Sequence, residues 1–147
     1  MITTLLKQIL VDSGCSLVLY EAKELANLLT DQSNQIDLIG LILQLDSVTL
    51  ETKANALPEH YPNLTIKILK QVRLEDTADN NEVSYQECLD TCKEIIVRLI
   101  ASAQVKHFPS PTLTKILETK YDANVIGWSM PLDLYYLKNE GKDPCLP

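Results

Sequence analysis

The most regular hydrophobic pattern in the chain runs from Ser84 to Val105. Cys88, Leu89, Cys92, Ile95, Ile96, Leu99, Ile100 and Ala103 recur at three- and four-residue steps, which places them on one face of a long helix. Glu87, Asp90, Thr91, Glu94, Arg98 and Gln104 fall mostly on the other side. Such a stripe needs a sheet or a second helix to cover it. Leu89, Ile96 and Leu99 are therefore expected in the core, with Ile96 and Leu99 fully buried.

Ahead of that helix, Ile2 to Val11 carries Ile2, Leu5, Leu6, Ile9 and Leu10 at helical spacing. Asp12-Ser13-Gly14 ends it, with Gly14 as the C-terminal cap. Cys15 to Tyr20 reads as a short strand or the exit from the helix, Glu21 to Leu29 as a short helix, and Thr30 to Gln35 as a polar linker. Ile36 to Leu45 is apolar on both faces, as in an interior strand. Asp46-Ser47 then turns the chain into Val48 to Lys53, and the two runs form a hairpin. Ala54 to Asn63 holds Pro58 and Pro62 and reads as a loop. From Leu64 to Leu74 the pattern alternates. Leu64, Ile66, Ile68, Val72 and Leu74 face one way, with Lys70 as the exception.

Glu75 to Val83 is a polar loop. Beyond the long helix, Pro109 and Pro111 stop it, and Thr112 to Lys120 and Asn124 to Leu137 read as two final strands. Ile126, Trp128, Met130, Leu132, Leu134 and Tyr136 share one side of the last strand. That puts Ile126, Trp128 and Leu132 in the core under the helices. The fold class is α+β: a mostly antiparallel sheet with the N-terminal helix and one long central helix packed on one face. Residues 1–137 form a single domain and 138–147 a loose polar tail. Helices on one face would leave Ile39, Leu41 and Leu43 exposed on the other, where a partner chain would cover them.

Composition narrows the function classes. No apolar run approaches the ~20 residues of a membrane span, and the N-terminus has neither the charge nor the cleavage site of a secretory signal. The net charge is −7. Seven acids lie between Glu75 and Glu94 against one base, Lys93. Lysines and arginines cluster nowhere, so tight nucleic-acid binding is not expected. Of the four cysteines, Cys88 and Cys92 sit on the buried stripe as small hydrophobes. All four read as reduced thiols in a cytosolic compartment. His60 and His107 stand in proline-bearing loops without cysteines at zinc-ligand spacing, so no metal site is expected. No phosphate-cradling glycine loop is present in the sequence. The chain does not read as an enzyme; no catalytic residue and no cofactor is assigned.

Tyr121-Asp122-Ala123-Asn124-Val125-Ile126-Gly127-Trp128, followed by the alternating Ser129 to Leu137, resembles the closing hairpin of small neck and tail-completion proteins of tailed bacteriophages. That family includes tail terminators and head–tail joining proteins. The order of elements is similar too: N-terminal helix, strands, a long helix after an acidic loop, then a hairpin. The long polar tail and the apolar Ile36 to Leu45 run depart from the pattern. The resemblance implies a structural virion protein, assembled in the host cytoplasm. It would form a homo-oligomeric ring at the neck or tail end, against neighbouring neck or tail proteins. A closing ring needs heterologous interfaces, here expected at Ile39, Leu41 and Leu43. Glu75, Asp76, Asp79, Glu82 and Glu87 would line the lumen or rim and repel passing DNA over a Debye length of ~8 Å. The alternatives are a small cytosolic interaction module acting as monomer or dimer, and a small hydrolase.

Overall fold

The computed structural model describes residues 2–20, 24, 38–45, 47–52, 57–72, 78–106, 108–118 and 124–137. Helix α1 spans Ile2–Asp12 and buries Ile2, Leu6, Ile9 and Leu10. It closes where the sequence places the cap. The Cys15 amide reaches back to the Leu10 carbonyl at 3.0 Å, and Gly14 takes φ +110°, a conformation that favours glycine.

Strand β1 (Leu17–Leu19) lies parallel to β2 (Ile39–Leu43). The sheet is therefore mixed, where mostly antiparallel pairing was expected. A parallel neighbour requires a crossover connection, and most of that connection, including the short helix expected at Glu21 to Leu29 apart from the helical Glu24, lies outside the described residues. β2 pairs antiparallel with β4 (Glu59–Val72).

The hairpin expected between β2 and the following run does not form. β3 (Thr49–Leu50) pairs with β4 instead, Thr49 opposite His60 and Leu50 opposite Glu59. β4 provides that partner because it starts five residues earlier than the prolines suggested. Pro62 is accommodated by a register shift between Tyr61 and Leu64. A residue without an N–H fits where the ladder is interrupted.

β4 and β7 (Asn124–Tyr136) form the central ladder, from Glu59 opposite Tyr136 to Val72 opposite Asn124. β5 (Val105–Lys106) and β6 (Thr114–Glu118) both pair antiparallel with the other side of β7. The sheet order is β1-β2-β4-β7-β5, with β3 on β4 and β6 on β7.

Helix α2 spans Ala78–Ala101, so it starts and ends earlier than its apolar stripe suggested. Val105 is a buried strand residue rather than the last helical position. The stripe is also narrower. Cys88, Cys92, Ile95 and Leu99 are buried, along with Thr91. Leu89 and Ile96 are only half-buried, and Ile100 is 70% exposed. Steps of four, three and four keep residues 88, 92, 95 and 99 in line. Positions 89, 96 and 100 each lie one residue, about 100°, to the side.

The main core joins α1 and α2 to Ile42, Leu64, Ile66, Ile68, Met130, Leu132 and Leu134, with Trp128 packed against it. Ile126 and Leu132 are buried and Trp128 is half-buried on the side expected. A second cluster holds the other side of the sheet: Leu19, Ile39, Leu41, Leu69 and Val125, flanked by Leu17, Leu43 and Ile116. Ile39 and Leu41 are 1% and 2% exposed within the single chain. They offer no surface to a second copy, and Leu43 is half-buried. The expected interface at these three positions is corrected accordingly: an apolar outer face here is a second core.

Candidate functional site

Among the described residues, aromatic, cationic and hydrogen-bonding side chains meet where the N-terminal part of α2 crosses β6 and β7. Strand alternation puts Trp128 and its cross-strand neighbour Lys115 on the helix side. The Trp128 indole Nε1 donates to the Tyr85 carbonyl at 2.9 Å. The Tyr85 ring meets the indole edge-on, with centroids 6.2 Å apart and planes at 77°. Its hydroxyl donates to the Ile116 carbonyl of β6 at 3.0 Å. Burial, with smaller contributions from Cys88 and Glu82, raises the Tyr85 pKa, so the hydroxyl stays a donor. Lys115 Nζ stands 4.7 Å from the Tyr85 ring centre and 5.7 Å from that of Trp128. Glu82 is 3.8 Å away. One helix start, one edge strand and one central strand are thus joined by aromatic, cationic and hydrogen-bonding contacts.

A second group lies on the opposite face of the ladder. His60 stands in β4, not in a loop. Its ring stacks on Tyr135 at 4.3 Å and 6°. Nε2 meets Asp133 Oδ1, and Nδ1 lies 3.8 Å from Glu51. Both ring nitrogens face carboxylates, which leaves neither directed at a nucleophile. His107 lies outside the described residues.

The thiols do not supply that nucleophile. Cys15, Cys88 and Cys92 are buried. Burial is the main cause that pushes their pKa values up to about 12, 11 and 12. A thiol is a nucleophile only as thiolate, so these three remain neutral core groups. Cys145 lies outside the described residues.

The acidic positions divide. Glu75 and Asp76 lie outside the described residues, and Asp79 belongs to α2. Glu82 is exposed beside Lys115. Glu87 is ion-paired to Lys70 at 2.5 Å, which explains the one lysine on the apolar side of β4 and takes Glu87 out of a free acidic rim. Among the described residues no group of His, Cys, Asp and Glu forms a metal cradle, and no helix is long and apolar enough to cross a membrane.

Tyr85 and Lys115 were not singled out by sequence pattern. Their signal is the register between β6 and β7, which alternation alone does not fix. No protein-family model, curated protein or solved structure matches the chain.

Proposed function

We propose that the chain is a structural subunit of a tailed bacteriophage particle, forming a homo-oligomeric ring at the neck or tail end. The observation that carries this reading is the edge of the sheet at β6. Among the described residues β6 pairs with β7 alone, and Leu117 on it is 61% exposed. An edge of this kind accepts a strand from another chain through main-chain hydrogen bonds. Repeated head to tail, such a contact closes a ring. The order of α1, strands, α2 and a β6–β7 hairpin supports the likeness to neck and tail-completion proteins.

In this reading the protein has no catalytic role, needs no cofactor, and does not bind DNA tightly. Its partners are its own copies and the adjoining neck or tail proteins. Reconstruction of intact particles by electron microscopy is the test. The expected result is several copies around the tail axis with β6 at the subunit contact. A single copy away from that axis, or absence from the particle, overturns the reading in favour of a monomeric or dimeric interaction module.

A further inference from the structure

We infer that His60 is a pH-sensitive latch for strand β3. With a proton on each ring nitrogen it ties Glu51, just past the end of β3, to Asp133 of β7, and it lets Glu51 go when one proton leaves. The placement of the ring carries this. Nε2 meets Asp133 Oδ1, and Nδ1 lies 3.8 Å from Glu51 Oε1. The parallel stack on Tyr135, at 4.3 Å and 6°, holds the ring in the plane that aims both nitrogens at carboxylates. The His60 side chain is 18% exposed, so water offers those nitrogens few substitute partners.

Histidine chemistry supplies the switch. An imidazolium has two N–H donors, whereas the neutral ring has one and presents a lone pair at its other nitrogen. Imidazole is the side chain that ordinarily changes charge between about pH 5 and 8. The closer contact, to Asp133, keeps the remaining proton on Nε2. Nδ1 then turns a lone pair toward the Glu51 carboxylate, and attraction gives way to repulsion. β3 is left with its ladder pairs to β4 and the bond from the Glu51 amide to the Pro58 carbonyl. The latch therefore contributes below the titration of the ring and is lost as pH rises through it.

Among the described residues, the groups that face the ring are few. The β3 side contributes Glu51, and β7 contributes Asp133 and the Tyr135 phenol. β5 contributes Lys106, which stands opposite Tyr135 in the ladder and so shares its face. On β4 itself, Glu59 points to the other face, where the Tyr61 hydroxyl donates to it at 2.8 Å. Thr49, directly opposite His60, carries no charge.

Two double-mutant cycles on the full chain test the latch, read by urea unfolding at about pH 5.5 and about pH 8. His60→Gln with Glu51→Gln should show a coupling of roughly threefold in the unfolding equilibrium at the lower pH, the scale of a partly exposed ion pair. At the higher pH that coupling should vanish. His60→Gln with Asp133→Asn should keep a coupling at both. A Glu51 coupling that is absent at the lower pH, or equal at both, overturns the inference.

If a variant does not fold, ring-nitrogen NMR of the unsubstituted chain makes the same decision. The expected spectra show both His60 nitrogens protonated at about pH 5.5 and Nε2 alone protonated at about pH 8. A ring that keeps one state throughout, or whose last proton sits on Nδ1, overturns the latch.

Discussion

The two faces of the β4–β7 ladder share one backbone and differ in their chemistry. On the helix side Leu64, Ile66 and Ile68 stand opposite Leu132, Met130 and Trp128, and all but Trp128 are buried. On the other side Thr65, Lys67, Ser129, Asp133 and Tyr135 are half-buried, while Leu69 and Val125 are buried in the second cluster. Moving one strand over to β2, the difference vanishes, because Ile39 and Leu41 are as buried there as Ile42 is on the helix side. The face away from the helices is therefore two regions, an apolar corner around β2 and a polar one around His60 and Asp133. Apolar residues of β1, β2, β4 and β7 meet in the first, and polar side chains pair in the second.

The sharpest way to break this comparison is to truncate one leucine on each side. Leu99→Ala removes a fully buried α2 side chain from the helix-side core and should cost about 2–5 kcal/mol. Leu41→Ala should fall in the same range of about 2–5 kcal/mol, because its site is equally closed. Urea unfolding of both variants checks it. A Leu41→Ala cost within the error of the measurement would mean that the β2 corner is loosely covered and would restore it as a candidate interface.

The alternation along β4 and β7 was legible because each strand buries one face, and a period of two survives wherever that holds. The fold class, Gly14 as cap, and the side on which Trp128 lies all followed from it or from the helical stripe. Three features did not. β3 chose β4 over β2 because β4 passes Pro62 through a register shift, and nothing in the residues around Pro62 announces that. Val105 left the helix for β5 although its spacing fits either element. The burial of Ile39 and Leu41 on the face away from the helices was not legible either, because the sequence shows only that both sides of β2 are apolar. Of the candidate site, Trp128 was legible as an aromatic in a strand. Its joining to Tyr85 and Lys115 was not, since it depends on a cross-strand register and on where α2 begins.

The helix-side core also predicts a pH response. Cys15, Cys88 and Cys92 are acids whose neutral form the fold favours. Their contribution to stability is fully present below the ordinary thiol value of 9.0 and is lost as pH rises toward about 11 to 12. In the unfolded chain they release protons over that window while the native chain holds them, so stability falls with rising pH. Cys88→Ala should flatten the fall, measured as urea midpoints between pH 8 and 10. An unchanged slope would place that thiol in contact with water and open the helix-side core at this point.

A smaller effect is expected where backbone approaches backbone. A Cβ on Gly127 would strike the Ile68 carbonyl of the neighbouring strand. Gly127→Ala should therefore strain the central ladder by about 1–3 kcal/mol, the usual cost of overpacking. The thermal midpoint reads it. A midpoint equal to that of the unsubstituted chain would show that β4 and β7 can separate locally, which would weaken the contrast between a rigid ladder and its edge strands.

The smallest effect distinguishes the two sides of α2 itself. Ile100 lies one residue beyond the line of Leu99 and is 70% exposed, with Val97 beside it at 60%. Replacing Ile100 by Gln removes apolar surface that is already in water, so stability should stay within about 0.5 kcal/mol. This holds for a single chain. If Ile100→Gln instead costs as much as Leu99→Ala, and the cost grows with protein concentration, another copy covers that side of α2. The contrast between a buried line and a wet flank would then belong to the single chain alone, and that side of α2 would be an interface.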